Sequence, residues 1–273
     1  MSRKGKREPI ALTGLSLAAS QVYNGVRIAP ILRDAPISDL RLDRLYVWSE
    51  DEGARVLREG GVPNGNALDL GGHPPEAWVS ALNEALALVK KALPGWHADL
   101  PRSVARIVPV GFGAERHLSA SYREAPSQVY MSLHPDPLTL AEAIVHEGQH
   151  GKLNRLLWLD PVLENGWSDW APSPVRPDLR PLLGVLLAVH AFVPVALLHE
   201  RLAEHPWPDP QRFVQRRAEV LAGNRNGLEI LAERARPTPA GQRLLREIQA
   251  LQARLETAGA SLPKARTDTL PPG

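Results

Sequence analysis

The chain contains no cysteine. Disulfides, thiolate metal ligands and cysteine nucleophiles are therefore excluded together, and any metal must be held by His, Asp or Glu. An excess of one charge is also missing. The 32 Lys and Arg against 30 Asp and Glu leave a net charge of +2, which gives no electrostatic case for nucleic acid or a membrane surface. No apolar run is read as approaching the roughly 20 residues of a membrane span. The nearest thing to an export signal is a basic stretch at 2–7 followed by a mildly apolar one at 10–19. Glu8, Pro9, Thr13 and Ser16 dilute it, and it reads as a flexible basic tail. No repeat period is visible. The expectation from these absences is a soluble, cytoplasmic protein with neither nucleic acid nor membrane as partner.

What is present is an ordinary globular balance, 44% apolar and 23% charged over 273 residues, enough for one large domain or two small ones. The 26 Pro and 21 Gly imply many loops. Residues 1–9 are expected to be a disordered basic tail and 259–273 a disordered Pro-rich one. Between them the chain divides into a mixed segment at 10–100, a candidate lid or peptide-recognition region, and a catalytic domain at 101–258. Trp78, Leu82, Ala85, Leu86 and Val89 recur at helical spacing, predicting a helix over 75–93 that Pro94 and Gly95 end. Strands are expected at 104–110, 118–122 and 128–133, and helices at 138–159, 181–204, 210–235 and 239–257. The predicted fold is α+β, mostly α-helical, with a small antiparallel sheet before the helix that carries the chemistry.

That helix contains His146-Glu147-Gly148-Gln149-His150. Residues four apart on a helix share a face, their Cβ atoms about 5–6 Å apart, so His146 and His150 can converge on one divalent ion with Glu147 beside them. Five residues of common type recur by chance, so the pattern cannot stand alone. The largely apolar flanks, 141–145 apart from Glu142 and then Leu153, Leu156, Leu157 and Trp158, argue that the element is buried and its polar groups need partners. A catalytic ion needs a third protein ligand. His190 is the first candidate, being the lone polar side chain between Arg180 and His199; the bland reading is a core histidine bonded to a carbonyl. Glu164, 14 residues after His150, competes with it and would mimic the Glu-ligated zinc peptidases, although Leu163-Glu-Asn-Gly looks more like a solvated turn.

Several blocks extend this signal: Val108-Pro-Val-Gly, His117-Leu-Ser-Ala-Ser-Tyr, Val129-Tyr-Met-Ser-Leu-His-Pro-Asp-Pro-Leu, the run from Ala141 to Asn154, Arg176-Pro-Asp-Leu-Arg-Pro-Leu and His190-Ala-Phe. In order and spacing the stretch from Val108 to Phe192 resembles the HExxH-motif proteins of bacterial peptide-modification clusters, understood as iron(II)- and 2-oxoglutarate-dependent peptide β-hydroxylases. The resemblance covers the middle third of the chain firmly, extends weakly back to the helix near Trp78, and leaves residues 1–70 unsupported. It implies iron on His146, His150 and His190, 2-oxoglutarate as co-substrate, O2, and a ribosomally made precursor peptide as substrate. It departs from the pattern at Val175, where many members carry a Trp.

The residues fit that chemistry. Iron oxygenases use ligands on one face of the ion and leave the other positions open. The far carboxylate of the co-substrate then needs a fixed cation, for which an Arg fork suits. Arg180 and Arg176 flank Pro177 just before the His190 helix. Ser119, Ser121 and Tyr122 are further candidates for the pocket, although each reads more readily as an ordinary strand residue. Two other functions compete. A zinc metallopeptidase would use Glu147 as general base. A non-enzymatic peptide-binding subunit would present Arg212, Arg216, Arg217, Arg225 and Arg234 to an acidic leader, although these read more simply as solvated helix faces.

Overall fold

The structure, a computed structural model, describes residues 21–23, 26–28, 69–123, 127–173 and 179–260. These form six helices and seven short strands, so the α+β, mostly helical expectation holds. Both expected tails lie outside the described residues, except that the last helix continues to Ala260. Two compact units divide the chain, Met1–Gly151 and Lys152–Gly273.

In the first unit, β1 (Gln21–Tyr23) and β2 (Val26–Ile28) form an antiparallel pair. Helix α1 (Pro75–Ala92) buries Trp78, Leu82, Ala85, Leu86 and Val89, the stripe that the helical period demands. The indole N–H of Trp78 donates to the Leu70 carbonyl at 3.0 Å. Pro94 ends α1 as expected, yet it also opens a helix that sequence did not anticipate, α2 (Pro94–Ser103). A proline has no N–H to give to the preceding turn, but at the first helical position none is needed.

Three strands follow: β3 (Arg106–Phe112), β4 (Ser119–Ser121) and β5 (Gln128–Leu133), in the spatial order β3-β5-β4. The sheet is mixed rather than wholly antiparallel: β4 runs against β5, whereas β3 runs parallel to it. The connection through 113–127 is long enough for the crossover that a parallel pair requires, and β5 thereby inserts between its two predecessors. Every residue of β5 is buried, as a central strand covered on both faces should be. This strand leads into α3 (Pro137–Leu157) through a short turn. There Asp136 accepts the Leu138 N–H at 2.9 Å and the Thr139 hydroxyl at 3.0 Å, capping the helix start, with Pro137 at its first position.

The second unit holds a short hairpin, β6 (Trp170–Pro172) and β7 (Leu179–Pro181), where no strand was expected. Three helices follow: α4 (Leu182–Arg201), α5 (Pro210–Arg234) and α6 (Pro239–Ala260). Asp209 caps α5 through the Arg212 N–H at 2.9 Å, and Thr238 caps α6 through the Gly241 N–H at 3.1 Å. Helix α4 corrects one expectation. By length and composition it could cross a membrane, yet 67% of its most apolar stretch is buried within the protein. Its Leu and Val side chains pack against α5 and α6, so its apolarity answers to a core.

Candidate metal centre

Helix α3 presents two imidazoles one turn apart. His146 and His150 are both half-buried, their rings lie nearly perpendicular with centroids 4.4 Å apart, and their Nε2 atoms approach to 2.8 Å. Two nitrogens at that separation can both stand about 2.1 Å from one ion, so the pair fits a divalent metal. Burial pushes the His150 imidazole below its ordinary value, against the pull of the Glu147 carboxylate. The proton-free form that a metal requires is therefore favoured.

Two glycines bracket His150, and they are there because α2 comes very close. A Cβ on Gly148 would stand 2.7 and 2.9 Å from ring atoms of Trp96, and one on Gly151 would stand 2.9 Å from the Ser103 carbonyl oxygen. Any side chain at either place would push α2 away. The glycines that weaken the sequence signal for a helix are what let it be packed on this side.

Glu147 faces the sheet. It is 2% exposed, and each carboxylate oxygen accepts a serine hydroxyl: Oε1 from Ser119 Oγ at 2.8 Å and Oε2 from Ser121 Oγ at 2.6 Å. Positions two apart on a strand share a face, so Ser-Ala-Ser on β4 aims both hydroxyls at the helix. The alternation was legible; its target was not. Tyr122, the third candidate there, stacks edge-on against Tyr130 instead, with centroids 5.6 Å apart.

His117 extends this polar seam. Its Nδ1 lies 3.3 Å from Ser132 Oγ, which also accepts the Leu118 N–H at 2.9 Å. The ring stands edge-on to His134, centroids 6.0 Å apart, and His134 Nδ1 accepts the Asp136 N–H at 3.0 Å. Burial first and then His134 push His117 down to about 4, while Glu147 and Glu142 pull the other way. His117 is therefore a neutral ring at neutral pH.

The remaining candidates belong to the second unit. His190 is half-buried on α4, and Arg180 is half-buried on β7 rather than on the helix itself. The Arg180 stem packs over Gly184, whose place would put a Cβ 3.4 Å from Arg180 Cβ. Arg176 lies outside the described residues. Glu164 is exposed in a turn, its N–H donating to the Arg236 carbonyl at 2.8 Å, which fits the solvated turn that its sequence suggested. Among the described residues, no group of three His, Asp or Glu stands ready around one point. The α5 arginines are not uniformly solvated as expected: Arg212, Arg225 and Arg234 are exposed, Arg216 is half-buried, and Arg217 is buried.

Comparison with known proteins adds little at this centre. The family model described as ARPP-2 matches residues 10–60, a small part of the chain that lies before α1. No curated protein matches the chain.

Proposed function

We propose that this protein is an iron(II)- and 2-oxoglutarate-dependent oxygenase that hydroxylates the β-carbon of a side chain in a ribosomally made peptide, in the cytoplasm. The observation that carries the reading is the approach of the two Nε2 atoms to 2.8 Å on a largely buried helix. Two ring nitrogens brought that close can share one cation, and nitrogen donors without thiolates suit iron(II). The ordered blocks that resemble the HExxH-motif peptide-modification family select oxygenase chemistry over hydrolysis.

On this reading His146 and His150 hold the ion through Nε2, with His190 as the third ligand. Iron(II) with 2-oxoglutarate supplies oxidation of a C–H bond by O2, the co-substrate leaving as succinate and CO2 and the peptide gaining one oxygen atom. Arg180, with Arg176 beside it in sequence, holds the far carboxylate of the co-substrate. Glu147 remains an acceptor-only anion, fixed by two serines, and acts on the imidazole pair through its charge. A zinc peptidase would need the same carboxylate to take a proton from water. Its 2% exposure and two serine partners weigh against that use.

The test is direct. Protein held without oxygen and given iron(II) and 2-oxoglutarate should develop a weak visible charge-transfer band. Admission of air with a precursor peptide should then add one oxygen to the peptide. No band and no mass gain would end the oxygenase reading, and two shorter peptides would install the peptidase in its place.

A further inference from the structure

A buried amide side chain needs partners for both its N–H groups and its carbonyl oxygen. Asn224 meets half of that need. It lies on the buried stripe of α5 with 2% of its surface exposed, and its Nδ2 donates to Gln252 Oε1 at 3.2 Å. The orientation is set from the far side. Gln252 Nε2 donates to the Leu221 carbonyl at 3.1 Å and to Glu256 Oε1 at 2.9 Å, two oxygens that only accept, and Arg225 holds Glu256 at 3.0 Å. Gln252 must therefore turn its own oxygen toward Asn224, and Asn224 must answer with an N–H. Among the described residues the Asn224 carbonyl oxygen accepts no hydrogen bond.

The same side chain lines a cavity of about 280 Å³ between α4 and α5. Ala188, Val189 and Phe192 form its α4 wall, and Val220 and Gly223 belong to its α5 wall. An apolar cavity of about 150 Å³ already takes a benzene ring, so this one has room for an aromatic group of one or two rings. Arg216 and Glu219 line it too, but they pair with each other at 3.8 Å and leave it no net charge to offer. An acid or a cation gains little there. What fits is an apolar ring that carries a single donor. Tryptophan and tyrosine are the side chains of that kind, and their N–H or O–H needs a partner when buried. Gly223 agrees with this use. Glycine is the least favourable interior helix residue after proline, and at this place it leaves open the space that a side chain would take.

We infer that the cavity between α4 and α5 anchors an aromatic residue of a peptide. The indole N–H of a tryptophan, or the hydroxyl of a tyrosine, donates to Asn224 Oδ1 while the ring packs on Phe192 and the aliphatic wall. The inference rests on the proposed function only for the peptide that bears this residue, and it adds a recognition site built from α4 and α5 alone.

Capped amino acids test it. N-acetyl-tryptophanamide should bind the full-length protein in a ligand-observed NMR titration. Its indole N-methyl derivative keeps the ring and loses the donor, and it should bind at least about tenfold more weakly. Gly223→Leu fills the cavity from one wall and Ala188→Leu from the other. Each should melt near the parent's temperature and lose at least about tenfold in affinity for the capped tryptophan. Where a filled variant does not fold, the methylated ring decides the matter on the parent alone. The inference is overturned if the parent ignores both the capped tryptophan and capped tyrosine, if the methylated ring binds as tightly as the unmethylated one, or if folded variants bind like the parent. Free indole that binds where neither capped residue does also overturns it, in favour of a small-molecule site. A parent that ignores the capped residues yet oxidises a peptide refutes only this inference. One that binds them in the cavity yet never oxidises a peptide refutes only the oxygenase reading.

Discussion

Helices α3 and α4, of 21 and 20 residues, manage burial in opposite ways. Helix α4 is apolar nearly throughout and is covered by large side chains from its own unit; its polar side chains before the charged end are the half-buried His190 and the fully buried His199. Helix α3 places His146, Glu147, Gln149 and His150 within two turns and still buries Glu147 and Gln149. It does so by having a polar strand opposite Glu147 and no side chain where α2 presses in. The first strategy yields a core. The second yields a core with a polar seam.

The comparison breaks most sharply at the histidines. His146→Ala or His150→Ala removes one of two converging nitrogens. Loss of supporting residues around a metal already costs 10–100-fold in affinity, so cobalt(II) or iron(II) binding should weaken by at least about 100-fold, measured by metal analysis after gel filtration. His190→Ala asks whether α4 joins in. A comparable loss makes it a ligand, and unchanged retention returns it to the core.

Glycine sharpens the comparison at smaller energy. Alanine is favoured over glycine inside a helix by about 1 kcal/mol. At Gly151 the added Cβ would meet the Ser103 backbone at 2.9 Å, which has little room to move, and overpacking of this kind costs about 1–3 kcal/mol. Gly151→Ala should therefore destabilise. At Gly184 on α4 the nearest atoms are 3.4 and 3.9 Å away, ordinary contacts, and Gly184→Ala should be neutral or stabilising. Urea midpoints for the two variants should move in opposite directions; movement in the same direction would refute the close-approach account.

Acid separates the units more gently. His117 is held at about 4, against an ordinary value of 6.5, and His97 is also lowered, by burial and then by Lys90. Between those values the unfolded chain binds more protons than the folded one. The first unit should therefore lose stability as pH falls from about 6.5 toward 4. In the second unit Asp160 is held below 3.8 by the Thr238 hydroxyl and the Val162 N–H, and Asp169 by Asn165 and Ser168. Their contribution is intact above that value and fades only below it. Hydrogen exchange at pH 7, 5 and 3.5 should show β4 and β5 loosening before the 160–169 loop.

Much of this was legible because period alone decides it. The stripe on α1, the starts of α5 and α6 at prolines, and the strand that leads into α3 follow from spacing and caps. What was hidden depends on distant partners. Nothing local says that Pro94 both ends one helix and begins another, that β5 would slip between β3 and β4, or that Ser119 and Ser121 would find Glu147 across 28 and 26 residues. The apolar run of α4 was not recognised as long enough for a span, although the expected helix, 181–204, already covered the observed one. Arg217 was misread because an arginine in a charged helix resembles its neighbours until the packing shows which way the helix turns.

The turn at 134–137 fixes where α3 starts. His134 Nδ1 receives the Asp136 N–H and Asp136 caps the helix, so the helix that sets out the two imidazoles is fixed by folding alone. The energy of assembling them is met during folding. Metal uptake should accordingly be limited by how fast the ion sheds water, unlike the many small metal domains whose chains fold only on loading. A chelator should empty the centre without unfolding the protein, and returning the ion should refill it within the time of mixing.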